Sequence, residues 1–118
     1  MHCIRQWRIL AAMVIIETSV FTRCIRELLD DDEYAELQTA LVERPDAGDL
    51  IQGSHGLRKL RWKIEGQGKR GGLRIIYYWL SADDQLWMLY AYLKAERDDL
   101  TRQQIKQLAE IVKGWKDG

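Results

Sequence analysis

The chain has 118 residues, of which 47% are hydrophobic and 31% charged, which indicates a single globular domain and excludes a disordered chain. Its two cysteines, Cys3 and Cys24, are too few for a disulfide scaffold or a cysteine-rich zinc site. The longest apolar run, residues 9–16, is far shorter than the roughly 20 residues that span a bilayer. Glu17 follows this run without a small-residue cleavage site, so we expect a cytoplasmic protein without a membrane segment.

The formal net charge is zero, but the charges are unevenly distributed. Residues 58–74 contain seven basic residues and one acidic residue, whereas residues 30–49 contain eight acidic residues and one arginine. A concentrated basic segment on a neutral protein can bind phosphate groups locally. The alternative is that the two segments neutralise each other on the surface, and the spacing alone leaves both interpretations open.

The first half of the chain predicts a strand followed by two helices. Residues 13–16 are apolar and partly β-branched, which indicates a short buried strand. Thr18 or Ser19 can cap the first helix, whose apolar residues recur at spacings of three and four. The three aspartates at 30–32 favour the start of a second helix, which we expect to end before Pro45.

The second half predicts three strands and a final helix. Hydrophobic residues alternate with basic ones in residues 57–64, and further strands are expected at 73–80 and 85–94. Because their connections are short, the three strands should form an antiparallel meander. Thr101 and Gln104 then form a capping box for a helix with one apolar face. The expected order is therefore strand, helix, helix, three-stranded antiparallel meander and helix, an α+β fold.

Several kinds of chemistry are excluded by the residues present. The two histidines, His2 and His55, do not form a metal-binding pair, and we expect neither a metal site nor a cofactor. The glycines at 66–72 precede a predicted strand rather than a helix and lack a Gly-Lys-Ser/Thr sequence, which excludes a phosphate-binding P-loop.

The remaining candidate site is a basic strand face. Lys59 and Arg61 share one side of their strand, and Arg74 begins the next strand. Lys94 ends the third strand, and Tyr92 lies on the same side of that strand as Lys94. Arginine binds phosphate oxygens in pairs, lysine supplies a point charge, and aromatic rings stack on unpaired bases. Such a group could cleave RNA without a metal, through attack of a 2′-hydroxyl on its own phosphate. The alternative is that the strand aromatics pack in the core and that flanking cations are solvated.

One stretch is especially specific: Gly-Lys-Arg-Gly-Gly-Leu-Arg-Ile-Ile-Tyr-Tyr at residues 68–78. Together with Gly-Leu-Arg-Lys-Leu-Arg at 56–61 and Tyr-Leu-Lys at 92–94, it resembles the HigB branch of the RelE/ParE toxin superfamily. The resemblance begins near Met13 and extends to about Trp115. We therefore interpret residues 13–118 as the toxin domain and residues 1–12 as an N-terminal extension, which a start codon assigned too far upstream would produce.

The resemblance implies a RelE-like fold and a role as the toxin of a type II toxin–antitoxin system. HigB and RelE toxins are mRNA interferases, metal-independent endoribonucleases that enter the ribosomal A site, cut the mRNA there, and so inhibit translation and growth. The expected partners are the ribosome with its mRNA and a HigA-like helix-turn-helix antitoxin. That antitoxin neutralises the toxin and represses the shared operon, so association with operator DNA would be indirect.

The resemblance also implies roles for individual residues. The expected catalytic residues, around the scissile phosphate, are Lys59, Arg61, Arg74 and Lys94. The expected RNA-binding residues are Arg58, Lys69, Arg70 and Tyr92. RelE itself has further basic residues after the lysine and a tyrosine in its last segment, whereas Ala95 follows Lys94 here. The assignment of the general base and the general acid therefore stays open.

Two other functions remain open at this point. A ParE-like protein shares the fold but inhibits DNA gyrase by binding, without cleaving RNA. A decayed toxin would only bind an antitoxin-like partner. The basic strand face favours the nuclease, because inhibition by binding to gyrase does not require a cluster that cleaves phosphodiesters.

Overall fold

The computed structural model describes residues 4–10, 13–64, 72–97 and 99–117. Its strands are β1 (Ile4–Leu10), β2 (Met13–Thr18), β3 (Asp49–Leu50), β4 (Leu57–Trp62), β5 (Leu73–Leu80) and β6 (Gln85–Leu93). Its helices are α1 (Ser19–Leu28), α2 (Asp31–Glu43) and α3 (Arg102–Asp117). None of the described helices combines the length and apolar character that crossing a membrane requires.

The strands form one mixed sheet in the order β1-β2-β6-β5-β4-β3. Strands β4, β5 and β6 form the predicted antiparallel meander. Strand β2 lies parallel to β6, with α1 and α2 following β2 in the chain. The α+β class and the predicted order of elements from residue 13 onward are confirmed, and β3 is a short addition to that order.

Strand β1 was not predicted. Its backbone pairs antiparallel with β2, with Trp7 opposite Ile16 and Leu10 opposite Met13. Residues 4–10 of the predicted N-terminal extension therefore belong to the sheet, as the strand beyond β2.

The sheet is covered on both faces. On one face, Phe21 of α1 and Leu37 of α2 pack with sheet residues such as Ile75, all of them fully buried. On the other face, Val112 of α3 packs against Trp87 and its neighbours. Because each face has its own core, successive residues of a central strand enter different environments.

The helices begin at the residues that the sequence predicts. Thr18 Oγ1 accepts a hydrogen bond from the backbone N–H of Phe21 at 3.0 Å and caps α1. Asp30 and Glu33 form a capping box at the start of α2. Gln104 donates its backbone N–H to the Thr101 hydroxyl at 3.1 Å, which confirms the third cap. Each cap satisfies backbone donors that a helix start leaves without partners.

A buried tyrosine anchors the loop that precedes β4. The Tyr77 hydroxyl donates to the Pro45 carbonyl oxygen at 2.6 Å and accepts from the Gly48 N–H at 2.9 Å. Burial raises the pKa of Tyr77, so the phenol keeps the proton that it donates. A Cβ atom on residue 48 would lie 2.8 Å from the Tyr77 ring, and the close approach therefore requires glycine.

We expect Tyr77→Phe to lower the free energy of unfolding by about 1–3 kcal/mol, because it leaves a buried N–H and a carbonyl without their partner. Tyr78→Phe is the matched control. The Tyr78 hydroxyl accepts from exposed Lys116, so its loss should cost less than about 0.5 kcal/mol. Urea denaturation measures both values, and equal losses would show that Tyr77 does not anchor the loop through its hydroxyl.

Candidate functional site

The predicted basic residues of β4 and β5 meet on the sheet face that α3 covers. Arg61 of β4 lies directly opposite Arg74 of β5, and Arg74 lies opposite Tyr92 of β6. Lys59 is two residues before Arg61 and therefore on the same face. Leu60 packs in the core on the other face, so the predicted alternation of β4 is confirmed.

Lys94 reaches this region because the ends of three strands are held together. Its backbone N–H donates to the Gly72 carbonyl oxygen at 3.1 Å, just before β5 begins. Gly72 has a positive φ of 72°, and a Cβ atom there would lie 2.5 Å from the Trp62 carbonyl oxygen. Only glycine fits this position, which adjoins the ends of β4 and β6. We call Lys59, Arg61, Arg74 and Lys94 the basic cluster.

An acidic residue that was not predicted completes the basic cluster. Lys59 Nζ donates to Asp99 Oδ1 at 2.9 Å, from the connection between β6 and α3. This hydrogen bond lowers the pKa of Asp99, and the charges of Lys59, Lys94 and Arg61 lower it further. The carboxylate that meets the basic residues here therefore lies outside the acidic segment 30–49.

Tyr92 lies beneath the basic cluster. It is only 6% exposed, and its hydroxyl has no hydrogen-bond partner among the described residues. Burial raises the pKa of the phenol, the charge of Asp99 raises it further, and the charges of Arg74 and Arg97 act in the opposite direction. The ring packs in the core on the α3 side, and the strand register puts Tyr92 directly opposite Arg74 of the basic cluster.

Arg58, another predicted RNA-binding residue, is not part of this arrangement. Arg58 Nη1 donates to the carbonyl oxygens of Gly48 at 2.8 Å and Asp46 at 3.2 Å, so its guanidinium supports the loop before β4. Its position opposite Tyr77 puts it on the α1 and α2 side of the sheet. Lys69 and Arg70 lie outside the described residues.

The arrangement places like charges at directly opposed positions of two paired strands, which costs stability. Two like charges directly opposite each other on one face of an antiparallel pair destabilise the sheet. Arg61 and Arg74 occupy such positions, with Lys59 on the same face. Guanidinium and ammonium groups on one sheet face are suited to bind phosphate oxygens, which would relieve the repulsion.

The described residues around the basic cluster do not offer the ligand set of a metal site. Within the described ranges, no group of three or more His, Cys, Asp or Glu side chains could hold a metal ion. A groove of about 940 Å³ lies elsewhere, between the loop at residues 52–55 and α3, with Arg102, Lys106 and Lys113 in its lining. None of the residues that line this groove belongs to the basic cluster.

A comparison with models of known protein families gives no match for this chain.

Removing one member of the opposed arginine pair should stabilise the protein. We expect Arg61→Gln to raise the free energy of unfolding by about 0.2–1 kcal/mol in about 20 mM salt, because it relieves like-charge repulsion. The gain should shrink in about 500 mM salt, where charges near the surface are screened. Chemical denaturation at both salt concentrations measures the effect.

Arg23→Gln is the matched control, since Arg23 is an exposed arginine on α1. It removes the same charge away from the basic cluster and should change stability by less than about 0.5 kcal/mol. A salt-independent loss of stability in Arg61→Gln would contradict the repulsion.

Proposed function

We propose that this protein is a HigB-type toxin with a RelE-like fold, a cytoplasmic endoribonuclease that cuts mRNA on the ribosome without a metal ion. The observation that carries the proposal is the register that puts Arg61, Arg74 and Tyr92 side by side across three strands. Lys59 lies on the same face, and Lys94 follows the end of β6. A cluster of this composition suits a phosphodiester better than it suits a neutral or cationic ligand.

The proposed reaction is an internal transfer at phosphorus. The 2′-oxygen of the substrate forms a bond to the adjacent phosphorus while the bond from phosphorus to the 5′-oxygen breaks. The products are a 2′,3′-cyclic phosphate and a 5′-hydroxyl. The proton of the 2′-hydroxyl passes to a base, and the leaving 5′-oxygen takes up a proton.

The basic cluster would act mainly through charge. The phosphate gains negative charge on its non-bridging oxygens as the new bond forms, and Arg61 and Arg74 can donate to both oxygens. Lys59 donates to a carboxylate in the structure, and its ammonium form could donate to a phosphate oxygen in the same way. That form stabilises the phosphate or protonates the leaving oxygen, and the proton acceptor stays unassigned.

Dependence on the ribosome follows from what the cluster lacks. The basic cluster contains no histidine, the side chain whose ordinary pKa makes it an effective acid and base near neutral pH. Its acid–base contribution on free RNA should therefore be small. A ribosome that holds the mRNA in a fixed position supplies the orientation, which can be worth several kcal/mol of the barrier.

The proposal includes the partners of such a module. A HigA-like helix-turn-helix antitoxin would neutralise the toxin and bring it to operator DNA. The basic cluster would also attract ribosomal RNA, with an affinity that falls as the salt concentration rises.

We expect the purified protein to cut a translated transcript at codon-phased positions and to leave the same transcript largely intact without ribosomes. Primer extension on one transcript measures this, with and without ribosomes at matched salt. The toxin is treated with excess chelator and dialysed before it is added. Equal cutting of free RNA would refute ribosome dependence. No cutting in either reaction, together with gyrase-linked DNA breaks, would instead favour a ParE-like inhibitor.

Substitutions in the basic cluster should separate activity from folding. We expect Lys59→Ala, Arg61→Ala and Arg74→Ala each to reduce cleavage by about 10²-fold or more, as loss of a group that stabilises transition-state charge does. Each should change the free energy of unfolding by no more than about 1 kcal/mol, with Arg61→Ala unchanged or slightly more stable because it relieves the repulsion with Arg74, since these side chains are not core residues. Growth-arrest assays and thermal melts would measure the two effects.

Trp62→Ala is the control on the opposite face of β4. Trp62 packs against the core formed with α1 and α2, so its loss should cost about 2–3 kcal/mol of stability. Folded variants of the basic cluster that retain full toxicity would refute the assignment of the site.

A further inference from the structure

We propose that Asp99 is a built-in competitor of the substrate: its carboxylate occupies the anion position of the basic cluster until a phosphate group replaces it. The inference rests on the proposed function only in identifying that phosphate as part of an RNA backbone. It assigns to Asp99 the role of setting how tightly the site binds RNA.

The contacts of Asp99 are those expected of a bound anion. Its Oδ1 accepts from Lys59 Nζ at 2.9 Å, and the charges of Arg61 and Lys94 also act on it. These three cations come from β4 and from the end of β6, and Asp99 comes from the connection to α3. One carboxylate thus contacts a lysine of β4 and lies within electrostatic reach of a second β4 cation and of the lysine after β6.

The carboxylate is held weakly enough to be displaced. The Asp99 side chain is 68% exposed, and among the described residues Lys59 is the partner in its hydrogen bond. The Lys59 side chain is 24% exposed, so the pair is partly accessible and contributes only modestly to stability, because water reaches and screens the carboxylate. A phosphodiester has the same charge, but it belongs to a polymer whose neighbouring phosphates contact further cations.

The hydroxyl beneath the basic cluster indicates that Asp99 fills the position incompletely. Only 6% of the Tyr92 surface is exposed, yet its hydroxyl has no hydrogen-bond partner among the described residues. A buried hydroxyl without a partner is costly and usually marks a place where a ligand or water belongs. The charge of Asp99 acts on this phenol, so the carboxylate is nearby without accepting its proton.

Asp99→Asn tests the competition directly, because it keeps the shape and removes the charge. The probe is a fluorescent single-stranded 2′-O-methyl RNA oligonucleotide, which cannot undergo attack by a 2′-hydroxyl. In fluorescence anisotropy at low salt, we expect Asp99→Asn to bind this probe about three- to tenfold more tightly than the unsubstituted protein, the scale of one exposed ion pair. The gain should diminish at high salt.

Two control variants separate competition from bulk charge. Asp83→Asn removes the same charge from the exposed turn between β5 and β6, away from the basic cluster, and should change affinity less than twofold. Asp99→Glu retains the carboxylate and should bind the probe like the unsubstituted protein. Inorganic phosphate, added as a competitor, should displace the probe from the unsubstituted protein and from Asp99→Asn. It should bind Asp99→Asn more tightly than it binds the unsubstituted protein.

The outcomes distinguish this inference from the proposed function. Unchanged or weaker binding by Asp99→Asn would overturn the inference, and so would an equal gain in Asp83→Asn. A failure of either protein to bind phosphate or the probe would also overturn it, since the anion position would then not exist. Tighter binding by Asp99→Asn in a protein that does not cut mRNA on ribosomes would support the competition and refute the nuclease.

Discussion

The register of β4, β5 and β6 is the constraint on which the candidate site depends. It puts Arg61, Arg74 and Tyr92 in one row across the sheet. A slip of one residue between β4 and β5 would move Arg61 into the core on the other face, because strand side chains alternate. Apolar residues on both faces prevent that slip. Gly72 fixes the start of β5, because a side chain at this position would clash with the Trp62 carbonyl oxygen. The chemistry of the site is therefore a consequence of how the two cores hold the meander.

Much of this arrangement could be predicted from the sequence, because local rules determine it. The alternation in β4, the short connections and the capping residues Thr18, Asp30 and Thr101 each act within a few residues along the chain. The alternation alone indicated that Lys59 and Arg61 share a face. The parallel pairing of β2 with β6 and the pairing of β1 with β2 could not be predicted in this way, since they depend on contacts between distant segments.

Arg58 and Asp99 show where reading charges along the sequence fails. Arg58 adjoins Lys59, but consecutive strand residues point to opposite faces, and its guanidinium binds the carbonyl oxygens of Asp46 and Gly48. Asp99 is 40 residues from Lys59 in sequence, but its carboxylate is 2.9 Å from the Lys59 ammonium. The acidic segment 30–49 was the apparent counterpart of the basic segment. In the described part of the folded chain, Asp99 before α3 has that position at Lys59.

The position of Asp99 also links the charge of the basic cluster to the architecture around it. Opposed arginines and nearby lysines repel one another, and a sheet that carries them is less stable than one with neutral residues at those positions. A nearby carboxylate lowers that cost in the unbound protein, whereas a permanent, buried salt bridge would block the anion position. An exposed aspartate on the connection before α3 meets both requirements, because it neutralises part of the charge and leaves its carboxylate accessible to a competing anion. Its placement in a connection, rather than on a strand facing the arginines, is what makes these two properties compatible.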